Sequence, residues 1–329
     1  MLIDFHTHLF PDAVAPRAVD VLVAGTVREE GRALPPRGEA TEAGILHAMK
    51  RDCVPLSVVL PIVTKPSQSE HILAFAESLN RRYADRLIAC KKAFEALAFS
   101  EKVSDGKPSA EESVLSVIAS PESCLPSEEE RAFCDALGGG TLLSFASVHP
   151  DDAGAEDQLK RIAEQGFRGI KLHPEFQHFE LDSPRAVRLI STAESLGLIT
   201  VVHAGRDIGM PPPPHGAPEA ISHLLEYIEG ERLVAAHLGG FRMWDDVEKY
   251  LVGKPLFLDT SYLGLFDGEP TSAQFCRIIR AHGSKKILYG SDYPWKSARE
   301  VSARVKTLAL REDELADIFY LNAANLLFS

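Results

Sequence analysis

The residues with the most chemical reach are histidines and acids that close short apolar runs. LIDF is followed by His6-Thr7-His8, and GI by Lys171-Leu172-His173-Pro174. ITVV is followed by His203-Ala204-Gly205, LVAA by His237-Leu238-Gly239-Gly240, and ILYG by Ser291-Asp292-Tyr293-Pro294. On a strand, residues i and i+2 point to the same side, so His6 and His8 project together. Two imidazoles side by side are half of a zinc-type site. His203 and Asp292 offer a third imidazole and a carboxylate, a donor set that suits Zn²⁺ and tolerates Mn²⁺, Fe²⁺ or Co²⁺. Each residue alone has a plainer reading: a turn histidine, a hydrogen-bonded core histidine, or, for Asp292, a helix cap. Packing alone does not put four such residues in succession at the ends of apolar runs.

Such residues meet only if the runs are neighbouring parallel strands. The runs are Leu2–Phe5, Leu56–Val63, Leu142–Val148, Gly169–Leu172, Ile199–Val202, Leu233–Ala236, Leu256–Leu258 and Lys286–Tyr289. Most are rich in Val, Ile and Leu and bounded by turn residues, as strands buried on both faces are. Helix-length amphipathic segments alternate with them, at Ser69–Tyr83, Ala155–Gln165, Ser183–Leu196, Pro218–Glu229 and Ser272–Ala281. Eight alternating units predict an α/β fold, a (β/α)8 TIM barrel, whose strand ends open on one face. A doubly wound open sheet is the alternative, weakened by the lack of a GxGxxG turn. One barrel domain is expected over residues 1–329. Residues 82–140 form an insertion between the second helix and the third strand, with helix at Ala89–Phe99 and Ser127–Leu137 and flexible links between. Ala13–Thr41 also breaks the rhythm, and Pro211–Pro214 is a stiff extended run.

Composition narrows the partners. Lys and Arg number 35 against 47 Asp and Glu, a formal net charge of −12 that disfavours phosphate backbones. No nucleic-acid partner is expected, which also counts against a metal-dependent nuclease. The five cysteines, Cys53, Cys90, Cys124, Cys134 and Cys276, form no CxxC pair, and their odd number suits a reducing, cytoplasmic setting. No secretory signal is visible, and no apolar run is long enough to span a membrane.

The motifs IDFHTH, VVHAG, AAHLGG and YGSDYPW, with the closing NAANLLF, resemble the amidohydrolase superfamily. The similarity is to its amidohydrolase-2 branch, the relatives of aminocarboxymuconate-semialdehyde decarboxylase, over almost the whole chain. The resemblance implies His6, His8, His203 and Asp292 as ligands of one divalent metal, with zinc favoured. It implies His237 as the histidine that acts on substrate or water. A second metal bridged by a carboxylated Lys171, as in dinuclear relatives, is the minority arrangement. The expected chemistry is hydrolysis of an amide, ester or lactone in a small organic substrate, with Asp292 carrying a proton and His237 stabilising the oxyanion. The alternative is non-oxidative decarboxylation, or hydration, of an unsaturated or aromatic acid. Lys171, His173, Arg206 and Trp295 are the candidate substrate contacts, with an Arg206–Asp207 salt bridge as the plainer reading of Arg206. His215 is a candidate lid residue and His149 a structural one. A homodimer is expected from the resemblance.

Overall fold

The computed structural model describes residues 1–104, 126–263 and 270–329. Eight parallel strands alternate with helices: β1 (Ile3–Thr7), β2 (Leu56–Val59), β3 (Thr141–Ser144), β4 (Gly169–Leu172), β5 (Ile199–Val202), β6 (Leu233–Ala235), β7 (Phe257–Asp259) and β8 (Ile287–Leu288). Each falls on an apolar run of the sequence, and every strand residue is buried. Three strands pair in the order β1-β2-β3 and five in the order β4 to β8.

Backbone hydrogen bonds join the two sheets at both seams. Phe5 N–H donates to Tyr289 O at 2.8 Å and Asp292 N–H to His6 O at 2.9 Å, beside a parallel bridge between Thr7 and Tyr293. On the other side Ala146 N–H donates to Gly169 O and Lys171 N–H to Ala146 O, each at 2.9 Å. The strands thus form the ring of a (β/α)8 barrel, and buried side chains such as Phe5, Leu56, Phe145, Ile170 and Val201 belong to one continuous hydrophobic core. Register brings the strand ends to one level: Leu172 pairs with Val202, Val202 with Ala235, and Asp259 with Leu288.

The helices differ from expectation in three places. A 16-residue helix, α1 (Ala15–Glu30), occupies the irregular stretch after β1. Its apolar residues are mostly valines left half exposed, so they make no clear buried stripe to read. After α2 (Glu42–Asp52), α3 (Ser69–Ser104) runs unbroken for 36 residues, joining what the sequence suggests are two helices. The start of the 82–140 segment therefore prolongs a barrel helix, and its end forms α4 (Glu128–Ala136), opened by a Ser127/Glu130 capping box. The flexible links expected within that segment fall largely on residues 105–125, outside the described residues. Next come α5 (Ala155–Glu164), the single turn α6 (Pro174–Gln177), α7 (Pro184–Ser195) and α8 (Pro218–Leu224), which stops five residues short of expectation. The chain ends through α9 (Trp244–Tyr250), α10 (Ser272–His282), α11 (Ala298–Lys306), α12 (Glu312–Ala316), a π-helical turn, and α13 (Asn322–Phe328). Among the described residues, no helix is long and apolar enough to cross a membrane.

Candidate metal centre

His6, His8 and Asp292 meet at the mouth of the barrel. The two Nε2 atoms are 3.1 Å apart, and Asp292 Oδ1 lies 3.5 Å from that of His6 and 3.2 Å from that of His8. Two backbone features permit this approach. Gly290 passes so close to β1 that a Cβ there would sit 2.7 Å from the His6 Cβ, which accounts for the glycine of YGSD. Asp292 itself is left-handed, with φ 67°, a conformation that costs a non-glycine residue about 1–3 kcal/mol and that its surroundings must hold in place. Asp292 caps no helix: Ser297 caps α11.

The hydrogen bonds around the two imidazoles decide where their protons lie. His6 Nδ1 is 2.8 Å from Asp259 Oδ2, and His8 Nδ1 is 2.8 Å from the carbonyl of Leu60. Both partners only accept, so each ring carries its proton on Nδ1 and turns a bare Nε2 lone pair inward. The corner is then two lone pairs and a carboxylate oxygen within hydrogen-bond distance, with no proton to share. Three acceptors facing one another repel unless a cation lies among them, so these residues fit a divalent metal.

The charges agree with this assignment. Burial, with help from Lys171, pushes His6 down to about 3, so the ring is neutral. Burial would raise Asp292, but its imidazole neighbours His8, His6 and His237 outweigh it and hold the carboxyl well below its usual range. Burial likewise opposes ionisation of Asp259. We read its low pKa as the work of its donors, since the His6 ring is neutral: His6 Nδ1–H, the backbone N–H groups of His237 and Ser261, both at 2.9 Å, and the Ser261 hydroxyl.

His203 stands beside this trio. Ser261 gives its own proton to Asp259, so it accepts from His237 Nδ1 at 2.9 Å. His237 Nε2 is then an acceptor, and His203 Nδ1–H donates to it at 3.0 Å. That leaves His203 Nε2 a lone pair, buried and without a hydrogen-bond partner. Asp207 Oδ2 lies 4.0 Å from it. The four residues expected as ligands are thus three in one corner and a fourth next to it, its free nitrogen unspent.

His173, His203 and Asp207 also come together, but the two rings are stacked rather than convergent. The rings of His173 and His203 are stacked at 4.1 Å and 15°, so their in-plane lone pairs run side by side and do not converge. His173 Nδ1 accepts the backbone N–H of Phe176 at 3.4 Å, which places its proton on Nε2, 3.5 Å from Asp207. Burial holds His173 and His203 well below the normal histidine range and pushes Asp207 up to about 7.

Lys171 lies on the barrel floor, 1% exposed. Among the described residues its ammonium makes one hydrogen-bond contact, with His6 Nε2 at 3.5 Å. Burial pulls it down to about 8. His237 is kept neutral chiefly by burial. The other expected residues lie further out. Arg206 is exposed and makes no ion pair with Asp207, whose carboxylate turns inward to His173. Trp295 is half-buried, and its backbone N–H donates to Asp292 O. His215 is pinned by Glu175, which accepts from both its ring Nδ1 and its backbone N–H at 2.6 Å. His149 accepts from Asp151 N–H, a structural bond as expected.

Sequence reasoning passed over Asp259, Asp207 and Asp4. Asp259 was within reach: it ends the apolar run Leu256–Leu258 just as Asp292 follows the run before it. Asp4 gave no signal, because an acid inside a buried strand announces nothing until its partners, here the backbone N–H and hydroxyl of Ser291 at 2.8 and 2.6 Å, are seen.

A barrel with imidazoles and a carboxylate gathered at its strand ends defines a metal-dependent enzyme class. The chain belongs to the amidohydrolase family, whose model matches residues 3–328. It is an enzyme of the amidohydrolase superfamily, in its amidohydrolase-2 branch. No curated protein matches it by sequence. Among solved structures it is similar to the 5-carboxyvanillate decarboxylase of Sphingomonas paucimobilis, at 17% identity and a TM-score of 0.55, covering 99% of this chain and 98% of that one. It is similar to 2,6-dihydroxybenzoate decarboxylase in complex with 2,6-dihydroxybenzoate, at 14% identity and a TM-score of 0.53, covering 99% of both. It is also similar to the 5-carboxyvanillate decarboxylase of Novosphingobium aromaticivorans with bound manganese, at 12% identity and a TM-score of 0.56, covering 99% of this chain and 97% of that one. At these identities the likeness concerns the fold.

Proposed function

We propose that the chain is a divalent-metal-dependent decarboxylase of an unsaturated or aromatic carboxylic acid. The observation that carries the reading is Lys171. A buried ammonium on the floor of the site, with no carboxylate in hydrogen-bond contact, is a ready partner for the carboxylate of a substrate. The decarboxylases among its structural neighbours support the same reading.

His6, His8 and Asp292 would hold one metal ion, with the free Nε2 of His203 as the fourth donor. Zinc suits the donor set, and manganese is the ion bound in one structural neighbour. When bound, the ion supplies Lewis acidity and orients an anionic substrate. Lys171 pairs with the substrate carboxylate, and neutral imidazoles keep the surroundings free of competing charge. As the bond to the departing carbon dioxide breaks, its electron pair stays on the substrate carbon, which must then take a proton. His237 Nε2, an acceptor in a ring that Ser261 and Asp259 fix from behind, would take that proton from solvent and pass it to the carbon, returning to the neutral ring. Incubating the metal-loaded protein with hydroxybenzoates, carboxyvanillate and a matching set of esters and lactones tests this. Carbon dioxide release from an acid is expected. Ester or lactone cleavage without it would return the reading to hydrolysis.

A further inference from the structure

Positive-φ backbone gathers on one side of the barrel mouth. Of the seven such non-glycine residues among the described residues, five fall in the loops after β6, β7 and β8: His237, Leu238, Arg242, Tyr262 and Asp292. These conformations persist only where the surroundings hold them, and they collect at sites that bind or react. His237 and Asp292 belong to the site already described. Tyr262, at φ 61°, is a bulky residue for which that backbone is a true outlier. Its N–H donates to Ser291 O at 3.2 Å, one residue before Asp292, so the loop after β7 is tied to the turn that carries the carboxylate.

Three rings lead in edge-to-face succession from the site toward the mouth. His237 and Phe241 meet with centroids 6.2 Å apart and planes at 75°, and Phe241 and Tyr262 at 5.4 Å and 82°. Cations flank the strip: the Arg242 guanidinium stands 5.3 Å from the Phe241 centroid and the Lys296 ammonium 5.5 Å from that of Tyr262. The Tyr262 phenol is half-buried and lies within electrostatic reach of both Asp292, after β8, and Asp207, after β5. A group that senses carboxylates from two such separate strand ends lies over the cavity between them. Burial, then Asp292, pushes its pKa up to about 12, so the hydroxyl keeps its proton and is a donor.

We propose that Tyr262 is a specificity-determining residue, which donates a hydrogen bond to an oxygen on the far edge of an aromatic acid while Phe241 and Tyr262 wall the ring. The proposal rests on the reading of Lys171 as the partner of the substrate carboxylate. With that group held on the floor at β4, the opposite edge of the ring points to the mouth, where Tyr262 offers its hydroxyl. An aromatic strip suits a flat ring better than an aliphatic chain, because edge-to-face and offset contacts add to burial. The ligand is thus a benzoate-like acid with a hydroxyl or oxo group meta or para to its carboxylate. An ortho oxygen would stay at the floor beside the carboxylate, out of reach of Tyr262.

Calorimetric binding of benzoate and of 2-, 3- and 4-hydroxybenzoate to the metal-loaded full chain tests it. The native protein should bind the better of the 3- and 4-hydroxy acids about three- to tenfold tighter than benzoate, the yield of one well-made hydrogen bond. Tyr262→Phe keeps the ring and its contact with Phe241 but should abolish that preference, with benzoate and 2-hydroxybenzoate within about twofold of their native affinities. Phe241→Leu, which takes a ring from the wall and leaves the donor, should weaken all four acids and keep the preference. Metal content and circular dichroism on the same samples check that each variant is folded. A Tyr262→Phe variant that retains the native preference would overturn the proposal. So would a native protein that binds the 3- and 4-hydroxy acids no tighter than benzoate, or that binds none of the four. Absence of carbon dioxide release with the Tyr262-dependent preference intact would sink the decarboxylase reading and still support Tyr262.

Discussion

Asp259 lies 2.8 Å from the Nδ1 of His6 and at the same time accepts the backbone N–H of His237. One carboxylate on β7 thus fixes the tautomer of a metal-facing imidazole on β1 and the path of the chain after β6. Partners of this kind set ligand basicity and orientation, and their loss costs about 10–100-fold in metal affinity. In Asp259→Asn, the amide nitrogen would face a ring nitrogen or a backbone N–H. Competition with a chelator should show metal affinity down by about that factor. An affinity within twofold of native would mean that His6 holds its tautomer without Asp259.

His237 offers a sharper separation of binding from chemistry. Its ring touches His203 and Ser261 but is not part of the corner formed by His6, His8 and Asp292. His237→Asn should leave close to the native metal content while turnover falls by about 10²–10⁴, the range for loss of a proton-transfer group. Elemental analysis and a rate assay on the same sample check both halves. Full turnover in the variant would remove His237 from the chemistry.

The barrel and its chemical end were legible because a strand buried on both faces leaves a continuous apolar run, and because a polar residue just past such a run has few structural uses. His6, His8, His203, His237 and Asp292 all stand out in that way. The connections between them were not legible. Asp259 ends a run of the same kind, yet a single acid after three apolar residues resembles a turn. The position of Asp207 depends on the fold of the loop behind Gly205, whose φ of 82° sets it against the backbone of Phe241. Helix α1 was hidden for the opposite reason: its apolar residues face outward, so hydrophobic periodicity does not mark it as packed.

Lys171 gives the site a pH dependence with a definite sign. Its folded pKa, pulled down by burial to about 8, puts the ammonium on the acid side of that value. Attraction for a substrate carboxylate is therefore complete below pH 8 and lost as the pH rises through it. Above that point KM should climb about tenfold per pH unit, with kcat changing less. Lys171→Met should raise KM at pH 7 and flatten the alkaline limb. A native profile level from pH 7 to 10 would exclude Lys171 as the carboxylate partner.

Asp4 links the barrel seam to stability. It sits 3% exposed beneath His6, bound by both the backbone N–H and the hydroxyl of Ser291, and burial still raises it from 3.8 to about 7. In the unfolded chain it releases its proton near pH 4, whereas in the folded one it holds the proton until about pH 7. Across that window the native state binds more protons, so stability falls as the pH rises and levels off above pH 7. The full difference corresponds to at most about 4 kcal/mol. Asp207, also raised to about 7, adds a dependence of the same sign. Asp259 and Asp292, both lowered, act at more acid pH. Asp4→Asn keeps an acceptor for the Ser291 N–H and removes the titration. Thermal unfolding between pH 5 and 8 should therefore show a shallower decline in the variant, with its advantage over the native protein growing toward pH 8. Curves that run parallel through that range would mean that Asp4 is already ionised in the native barrel.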